Sequence, residues 1–228
     1  MRPSFATMLL AVVPVLIGAP QAAASQAFRS AVSTILPSAP WGIAGIRLGM
    51  SPREVADAMK VAGYTLHGRY TGRSWQGEVA DKVSFLRGIR IPAGPEAIRK
   101  EDYSKGQEAI QVTYAVNPAG AYAVGVTYRI AAAAIGADRF EAAALSRYGR
   151  PSRKRDSEIL YCSAGEPECA SPGSLVTKNQ LPNLAIFVSD GMKRSLELRQ
   201  GQRADRAFEA AIKAEVERLY PKKDKPSF

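Results

Sequence analysis

The sequence predicts an α+β protein in which short helices pack on an antiparallel sheet. Two stretches carry helix-start signals beside apolar residues at helical spacing, and each is followed by segments in which apolar and polar residues alternate. Gly, Pro and Asn residues separate these segments, as expected of hairpin turns. Because the order of one helix followed by several strands occurs twice, the pattern also suggests two helix-plus-hairpin pseudo-repeats.

The first helix is predicted over residues 52–62 by the local chemistry of its ends. Ser51 and Glu54 have the spacing of a capping box, in which each side chain accepts from the other residue's backbone N–H. Val55 and Met59 repeat at helical spacing, and Gly63 can adopt the left-handed conformation that ends a helix. The preceding residues are predicted to be extended.

Strands are predicted after this helix, and the best of them alternate apolar and polar residues. They cover residues 81–91, 107–116 and 121–130, and the turn at 117–120 joins the last two as a hairpin.

The second helix is predicted around Asp138, which can act as its cap, and it should end at Gly149 before Pro151. Strands are then expected at 157–162, 174–178, 183–189 and 194–200, with a hairpin turn at Asp190-Gly191 between the last two. A third helix is predicted over 204–219, and a basic tail follows it.

The N-terminal residues have the three parts of a secretory signal peptide. Arg2 precedes an apolar run at 8–18, and Ala22 and Ala24 stand at the positions of an Ala-x-Ala cleavage site. The apolar run is shorter than the roughly 20 residues that span a bilayer. We therefore expect residues 1–24 to be removed after Ala24 and the protein to be periplasmic or secreted.

The rest of the chain divides at about residue 130. Residues 25–130 form the first helix-plus-strands unit, and residues 131–228 form the second unit with a C-terminal helix and basic tail; the two units can also be one domain. The formal net charge is +10. An exported protein does not meet genomic DNA, so no nucleic-acid partner is expected. Anionic lipid, cell-wall polymers and acidic protein surfaces are the candidate neighbours of such a charge, and the alternative is that the charge keeps the protein soluble without a partner.

The two cysteines, Cys162 and Cys169, are expected to form a disulfide because an exported protein meets an oxidising compartment. The alternative is a metal site. It would need further soft ligands, and the only histidine of the chain, His67, is distant in sequence.

The stretch Gly49-Met50-Ser51, with Glu54 and Val55, resembles the helix-opening motif of a group of exported bacterial proteins. This group includes the small lipoprotein of the outer-membrane β-barrel assembly machine and the β-lactamase inhibitor proteins. A Gly-x-Pro turn often follows a helix in the group, and Gly149 and Pro151 match it in the other half of this chain. The lipid-attachment cysteine is missing. The resemblance implies short helices on an antiparallel sheet and a binding role.

Motifs of catalysis are sparse. A hydrolase needs a nucleophile with a base, yet His67 is the only imidazole, and the sequence has no Gly-x-Ser-x-Gly elbow and no phosphate-cradling Gly-rich motif. No catalytic residue, cofactor or metal site is therefore predicted.

Residues 67–78 form the first predicted contact stretch, which we interpret as a loop. It interleaves Arg69, Tyr70, Arg73 and Trp75 with glycines, and Tyr, Trp and Arg dominate binding hot spots. The alternative is that Tyr70 and Trp75 pack inward.

The second predicted contact stretch is a basic turn with five cationic residues: Arg147, Arg150, Arg153, Lys154 and Arg155. It would bind an anionic envelope component, or it is a solvated turn. The function expected from the sequence is that of a non-enzymatic envelope protein that binds a protein or an anionic component. The alternatives are an envelope hydrolase or hydrolase accessory, and a structural or stress-related envelope protein.

Overall fold

The computed structural model describes residues 41–163, 182–190 and 192–221, and it confirms the α+β class. In chain order the elements are α1 (Pro52–Val61), β1 (Thr65–Arg73), α2 (Trp75–Arg87), β2 (Glu96–Lys105), β3 (Glu108–Asn117), β4 (Gly120–Ala131), α3 (Ala137–Tyr148), β5 (Arg153–Arg155), β6 (Glu158–Cys162), β7 (Asn183–Asp190), β8 (Lys193–Arg199) and α4 (Gln202–Leu219).

All of these strands belong to one eight-stranded antiparallel sheet, in the order β1-β2-β3-β4-β8-β7-β6-β5. Each half of the chain lays its four strands side by side in chain order. The last strands of the two halves, β4 and β8, then pair antiparallel along Gly125–Ala131 and Lys193–Arg199. The two predicted units therefore share one sheet, whose edges are β1 and β5. That they are a repeat stays a prediction.

The principal core lies on one face of this sheet. Along β3 the buried residues Ile110, Val112 and Tyr114 alternate with more accessible ones, as a strand covered on one face requires. The helices α1 and α3 add Val55, Met59, Phe140 and Ala144 to the same core. Burial of one such aliphatic or aromatic side chain contributes about 1.5–3 kcal/mol, so the cover of this face is a main source of stability.

A second core cluster joins α2 to α4. Trp75, Val79 and Val83 of α2 pack with Ile212 and Val216 of α4, and Val116 at the end of β3 completes the cluster. The ring centroids of Trp75 and Phe208 are 6.0 Å apart in an edge-on arrangement. Ion pairs of Lys82 with Glu209 and of Arg87 with Glu217 flank this contact.

The predicted start of α1 is confirmed. The Ser51 hydroxyl accepts from the Glu54 N–H at 3.3 Å, and the Glu54 carboxylate accepts from the Ser51 N–H at 2.7 Å. Before the helix, Ile43 and Ile46 form a tight turn through Ala44 and Gly45, which have φ of 50° and 88°. Both isoleucines are buried in the principal core, so the extended segment predicted here is a core-filling turn.

Three further predictions about local structure are wrong. Residues 81–91 do not form a strand, because α2 covers most of them, from the Ser74 cap to Gly88 in the left-handed conformation. Residues 67–78 are not a loop, since they belong to β1 and the start of α2. Asp138 does not cap α3: its N-cap is Gly136, which has no side chain to accept a hydrogen bond.

The hairpin at 117–120 is confirmed by the pairing of Asn117 with Gly120. Asp190 pairs with Lys193 across the predicted β7–β8 turn, while Gly191 lies outside the described residues. The segments predicted as the signal peptide (1–24) and as one strand (174–178) also lie outside them, as do residues 222–228 of the predicted basic tail at 220–228. Within the described part of the chain, the helices are too short or too polar for any of them to cross a membrane.

Candidate binding surface

The face of the sheet opposite the principal core is polar across five strands. Paired residues lie in rows across the sheet and share a face. One row runs from Tyr70 through Lys100, Thr113 and Gly125 to Arg199, and the next runs from Asp102 through Gln111 and Thr127 to Glu197. With Arg129 from the row after that, their side chains define the polar sheet face: Tyr70, Lys100, Asp102, Gln111, Thr113, Thr127, Arg129, Glu197 and Arg199.

The polar sheet face is partly accessible to solvent and carries charges of both signs. Tyr70 is 51% exposed, and Thr113 is also exposed, while the other members are half-buried. The Glu197 side chain, at 16% exposed, is the least accessible of the four in the ion pairs Lys100–Asp102 and Arg199–Glu197. At a strand spacing of about 4.8 Å, the surface from β1 to β8 is roughly 19 Å wide. It is therefore broad enough to contact a folded partner.

Contacts between neighbours order the side chains at the β1 end of this face. The Lys100 ammonium lies 4.0 Å from the centroid of the Tyr70 ring and 3.5 Å from the Asp102 carboxylate. The Gln111 amide donates to Asp102 at 2.9 Å. Near the other end of the face, Arg199 forms an ion pair with Glu197. Such contacts hold polar side chains in defined positions, which lowers the entropy lost when a partner binds.

On strands β6 and β7 the same face of the sheet is apolar and buried. Leu160 of β6 and Ala185 of β7 follow Glu197 in the same row, and both are fully buried. They pack with Cys162 and Phe187 as a small apolar cluster. The accessible polar surface therefore belongs to β1–β4 and β8.

A buried carboxylate lies on the core side, beneath the β1 edge. Glu101 is 0% exposed, and its Oε1 accepts from both Nε and an Nη of Arg69, at 2.8 and 2.7 Å. Its Oε2 accepts from the hydroxyls of Tyr103 and Tyr114, at 2.9 and 2.6 Å. Burial, followed by the hydrogen bond to Glu101, raises the pKa of both tyrosines, so these hydroxyls remain protonated donors.

The first predicted contact stretch is divided between surface and core. Tyr70 faces solvent on the polar sheet face, whereas Trp75 is 9% exposed and packs on Phe208. Arg69 binds the buried Glu101, and Arg73 binds Asp81 at 2.7 Å. Of the four, Tyr70 remains as an aromatic contact candidate, and the inward packing considered for Trp75 is the arrangement found.

The second predicted contact stretch lies at the opposite edge of the sheet, on and before β5. Arg153, with a side chain 10% exposed, pairs with Glu158, and Lys154 pairs with Glu141 of α3. Arg150 and Arg155 are exposed, and the Arg147 guanidinium lies 5.6 Å from the Tyr148 ring. The sheet thus separates the two stretches, and part of the basic charge is used inside the fold.

The remaining candidate chemical groups do not converge. His67 is exposed on β1, and the described part of the chain has no group of three His, Cys, Asp or Glu residues able to hold a metal ion. Cys162 ends β6, and Cys169 lies outside the described residues, so their disulfide stays a prediction. Sequence analysis missed Glu101 and the polar sheet face, because both depend on which strands pair.

Comparisons with protein-family models, with curated proteins and with solved structures find no match to this chain. The resemblance of the Gly49–Val55 motif to exported envelope proteins therefore stays a hypothesis from the sequence.

Proposed function

We propose that this chain is an exported, non-enzymatic envelope protein that binds another protein through the polar sheet face. The observation that supports this proposal is the contrast between the two faces of one sheet. One face buries apolar residues under α1 and α3, while the other presents partly accessible polar side chains across five strands, several of them in contact with one another.

The mixture of charges on this face favours a protein over a polyanion. Lys100, Arg129 and Arg199 stand beside Asp102 and Glu197, and an anionic polymer would be repelled by the two carboxylates. The basic turn is also a weaker polyanion site than its sequence predicts, since Arg153 and Lys154 have acidic partners within the fold. An anionic envelope component is the second candidate, and Arg147, Arg150 and Arg155 would then bind it.

The compartment is part of the same proposal. Cleavage after Ala24 would release the protein into an oxidising envelope, where Cys162 and Cys169 can pair. Mass spectrometry of the protein from the envelope fraction should find Ser25 as the first residue and a linked Cys162–Cys169 peptide. An intact Met1, or alkylation of both thiols without reduction, would contradict this part.

Photo-crosslinking tests the surface directly. A photoreactive residue at Thr113 lies in the middle of the polar sheet face, and one at Val61, which is 90% exposed on α1, is the matched control. In living cells the Thr113 probe should give one discrete crosslinked envelope protein, and the Val61 probe should not.

Two substitutions then separate the candidate partners. Tyr70→Ala should weaken the Thr113 crosslink, because it removes the aromatic side chain of the face. Replacing Arg147, Arg150 and Arg155 with Gln should leave the crosslink unchanged. Crosslinks that fall only after the arginine replacement, together with salt-sensitive binding to anionic vesicles, would instead support the anionic component. Equal crosslinking from Thr113 and Val61 would reject the proposed surface.

A further inference from the structure

The edge strand β1 is held to the molecule differently from the other long strands. None of its nine residues is buried, whereas β3 alone buries four. Just before it, the Tyr64 hydroxyl donates to Glu108, and just after it, Trp75 is anchored in the α2–α4 cluster. A segment without buried side chains therefore spans two fixed points.

Between these points β1 is attached by its backbone, by side-chain contacts near the surface and by one ion pair to a buried group. The surface contacts join Thr71 to Glu96 and Tyr70 to Lys100. The β1 backbone pairs with β2, and the register shifts twice, between Leu66 and Gly68 and between Tyr70 and Thr71. The ion pair of Arg73 with Asp81 is exposed on both sides, at 63% and 49%, and pairs of this kind contribute little. The contact of Arg69 with Glu101 differs, because its carboxylate is fully buried.

We infer that β1 is a strap that opens as a unit separate from the rest of the sheet, and that the Arg69–Glu101 ion pair is its latch. Local opening is easiest where few apolar side chains are buried, and β1 meets that condition along its whole length. Opening exchanges the β1–β2 backbone hydrogen bonds for bonds to water, and its largest side-chain cost is the loss of the guanidinium from a buried carboxylate. The hydroxyls of Tyr103 and Tyr114 keep Glu101 hydrogen-bonded when the strap opens, so the sheet beneath it survives.

Opening also changes the accessible surface. It removes Tyr70 from the polar sheet face and uncovers the backbone groups of β2 that pair with β1. If that face binds a partner, as proposed above, the partner and the opening of the strap oppose each other. This last consequence rests on the proposed function, whereas the strap itself does not.

Native-state hydrogen exchange of the full chain tests the strap with a matched pair of variants. Arg69→Gln removes the charge that faces buried Glu101, and Arg73→Gln removes an equal charge from an exposed pair on the same strand. In Arg69→Gln, the β1 amides that bond to β2 should exchange about tenfold faster or more, while β3, β4 and β8 amides change less than about twofold. Arg73→Gln should change all of these amides less than about twofold.

Two results would overturn the inference. Equal acceleration of β1 and β3 amides would show that β1 does not open separately, and unchanged β1 exchange in Arg69→Gln would show that the ion pair is not the latch. If Arg69→Gln fails to fold, the wild type decides the question. Its β1 amides should exchange with a much weaker dependence on denaturant than its β3 amides, since a small opening exposes little surface. An equal dependence would reject the strap.

Discussion

Single residues determine how α1 begins, and the capping box of Ser51 and Glu54 makes this measurable. We expect Ser51→Ala to lower the free energy of unfolding by about 1 kcal/mol at pH 7, because it removes the acceptor for the Glu54 N–H. Chemical denaturation measures the change. Ser146→Ala, at an exposed position in α3, is the control and should have almost no effect.

The same box predicts a pH dependence. Two hydrogen bonds hold the pKa of Glu54 below its ordinary value of 4.5: the larger effect comes from the Ser51 backbone N–H and the smaller from the Ser51 hydroxyl. A carboxylate whose pKa is lowered by folding stabilises the protein above the pKa of the unfolded chain, and this contribution is lost as the pH falls through the lower, folded value. The difference between wild type and Ser51→Ala should therefore shrink between pH 7 and pH 3. Ser51→Ala keeps the backbone N–H, so an equal difference at both values would mean that the hydroxyl's donation to the Glu54 carboxylate contributes nothing.

The Glu101 cluster gives the second residue-level prediction. Tyr114→Phe removes a hydroxyl that donates to a buried carboxylate at 2.6 Å, so the free energy of unfolding should fall by about 1.5–3 kcal/mol. The control is Tyr128→Phe, which removes a hydroxyl from a half-buried ring beside the same core and should cost less than about 1 kcal/mol. Equal losses in the two variants would show that the hydrogen bond to Glu101 contributes nothing specific.

Residues differ in how far sequence alone can place them. Ser51 and Glu54 act on each other within one helical turn, so their spacing is sufficient. Glu101 receives its partners from β1, β2 and β3, and no local pattern marks a carboxylate that will be buried by strand pairing. Its only sequence signal is alternation with Tyr103 two positions later.

Elements show a related limit. The β-branched and aromatic residues of α2 favoured a strand, although Trp75, Val79 and Val83 recur at helical spacing between a Ser74 cap and Gly88. These end signals could have identified the helix. β1 has no such signal, since both its faces are accessible and no alternation develops. Its identity as a strand follows from pairing with β2.

The short edge strand β5 leads to a prediction about its own charges. The Arg153 side chain is 10% exposed and pairs with Glu158, whereas Arg155 is exposed. We expect Arg153→Gln to lower the midpoint of thermal unfolding clearly and Arg155→Gln to leave it nearly unchanged. The reverse order, or two equal shifts, would mean that burial does not distinguish the two arginines.

At the scale of the whole molecule, the shared sheet predicts one cooperative unfolding transition. Trp41 contacts Tyr161 of β6, and Trp75 contacts Phe208 of α4, so the two tryptophans report on different parts of the molecule. In Trp41→Phe and in Trp75→Phe, the fluorescence of the remaining tryptophan should change at the same denaturant concentration as the far-ultraviolet circular dichroism. An earlier change of the Trp75 signal, measured in Trp41→Phe, would indicate a separately unfolding α2–α4 layer, and an earlier change of either signal would contradict a single transition.

The pairing of β4 with β8 has a consequence for how the newly synthesised chain folds. β4 ends at Ala131 and its neighbour begins at Lys193, so a chain emerging from its N-terminus exposes the hydrogen-bonding edge of β4 long before β8 arrives. Exposed strand edges recruit other chains. The exposed β4 edge can pair with β8 of a second copy in the same way as with β8 of its own chain. If two chains exchange their β8 strands, they form a domain-swapped dimer. Because exchange needs two chains and closure needs one, a high concentration of unfolded chains should favour such dimers, and refolding at high dilution should favour the monomer.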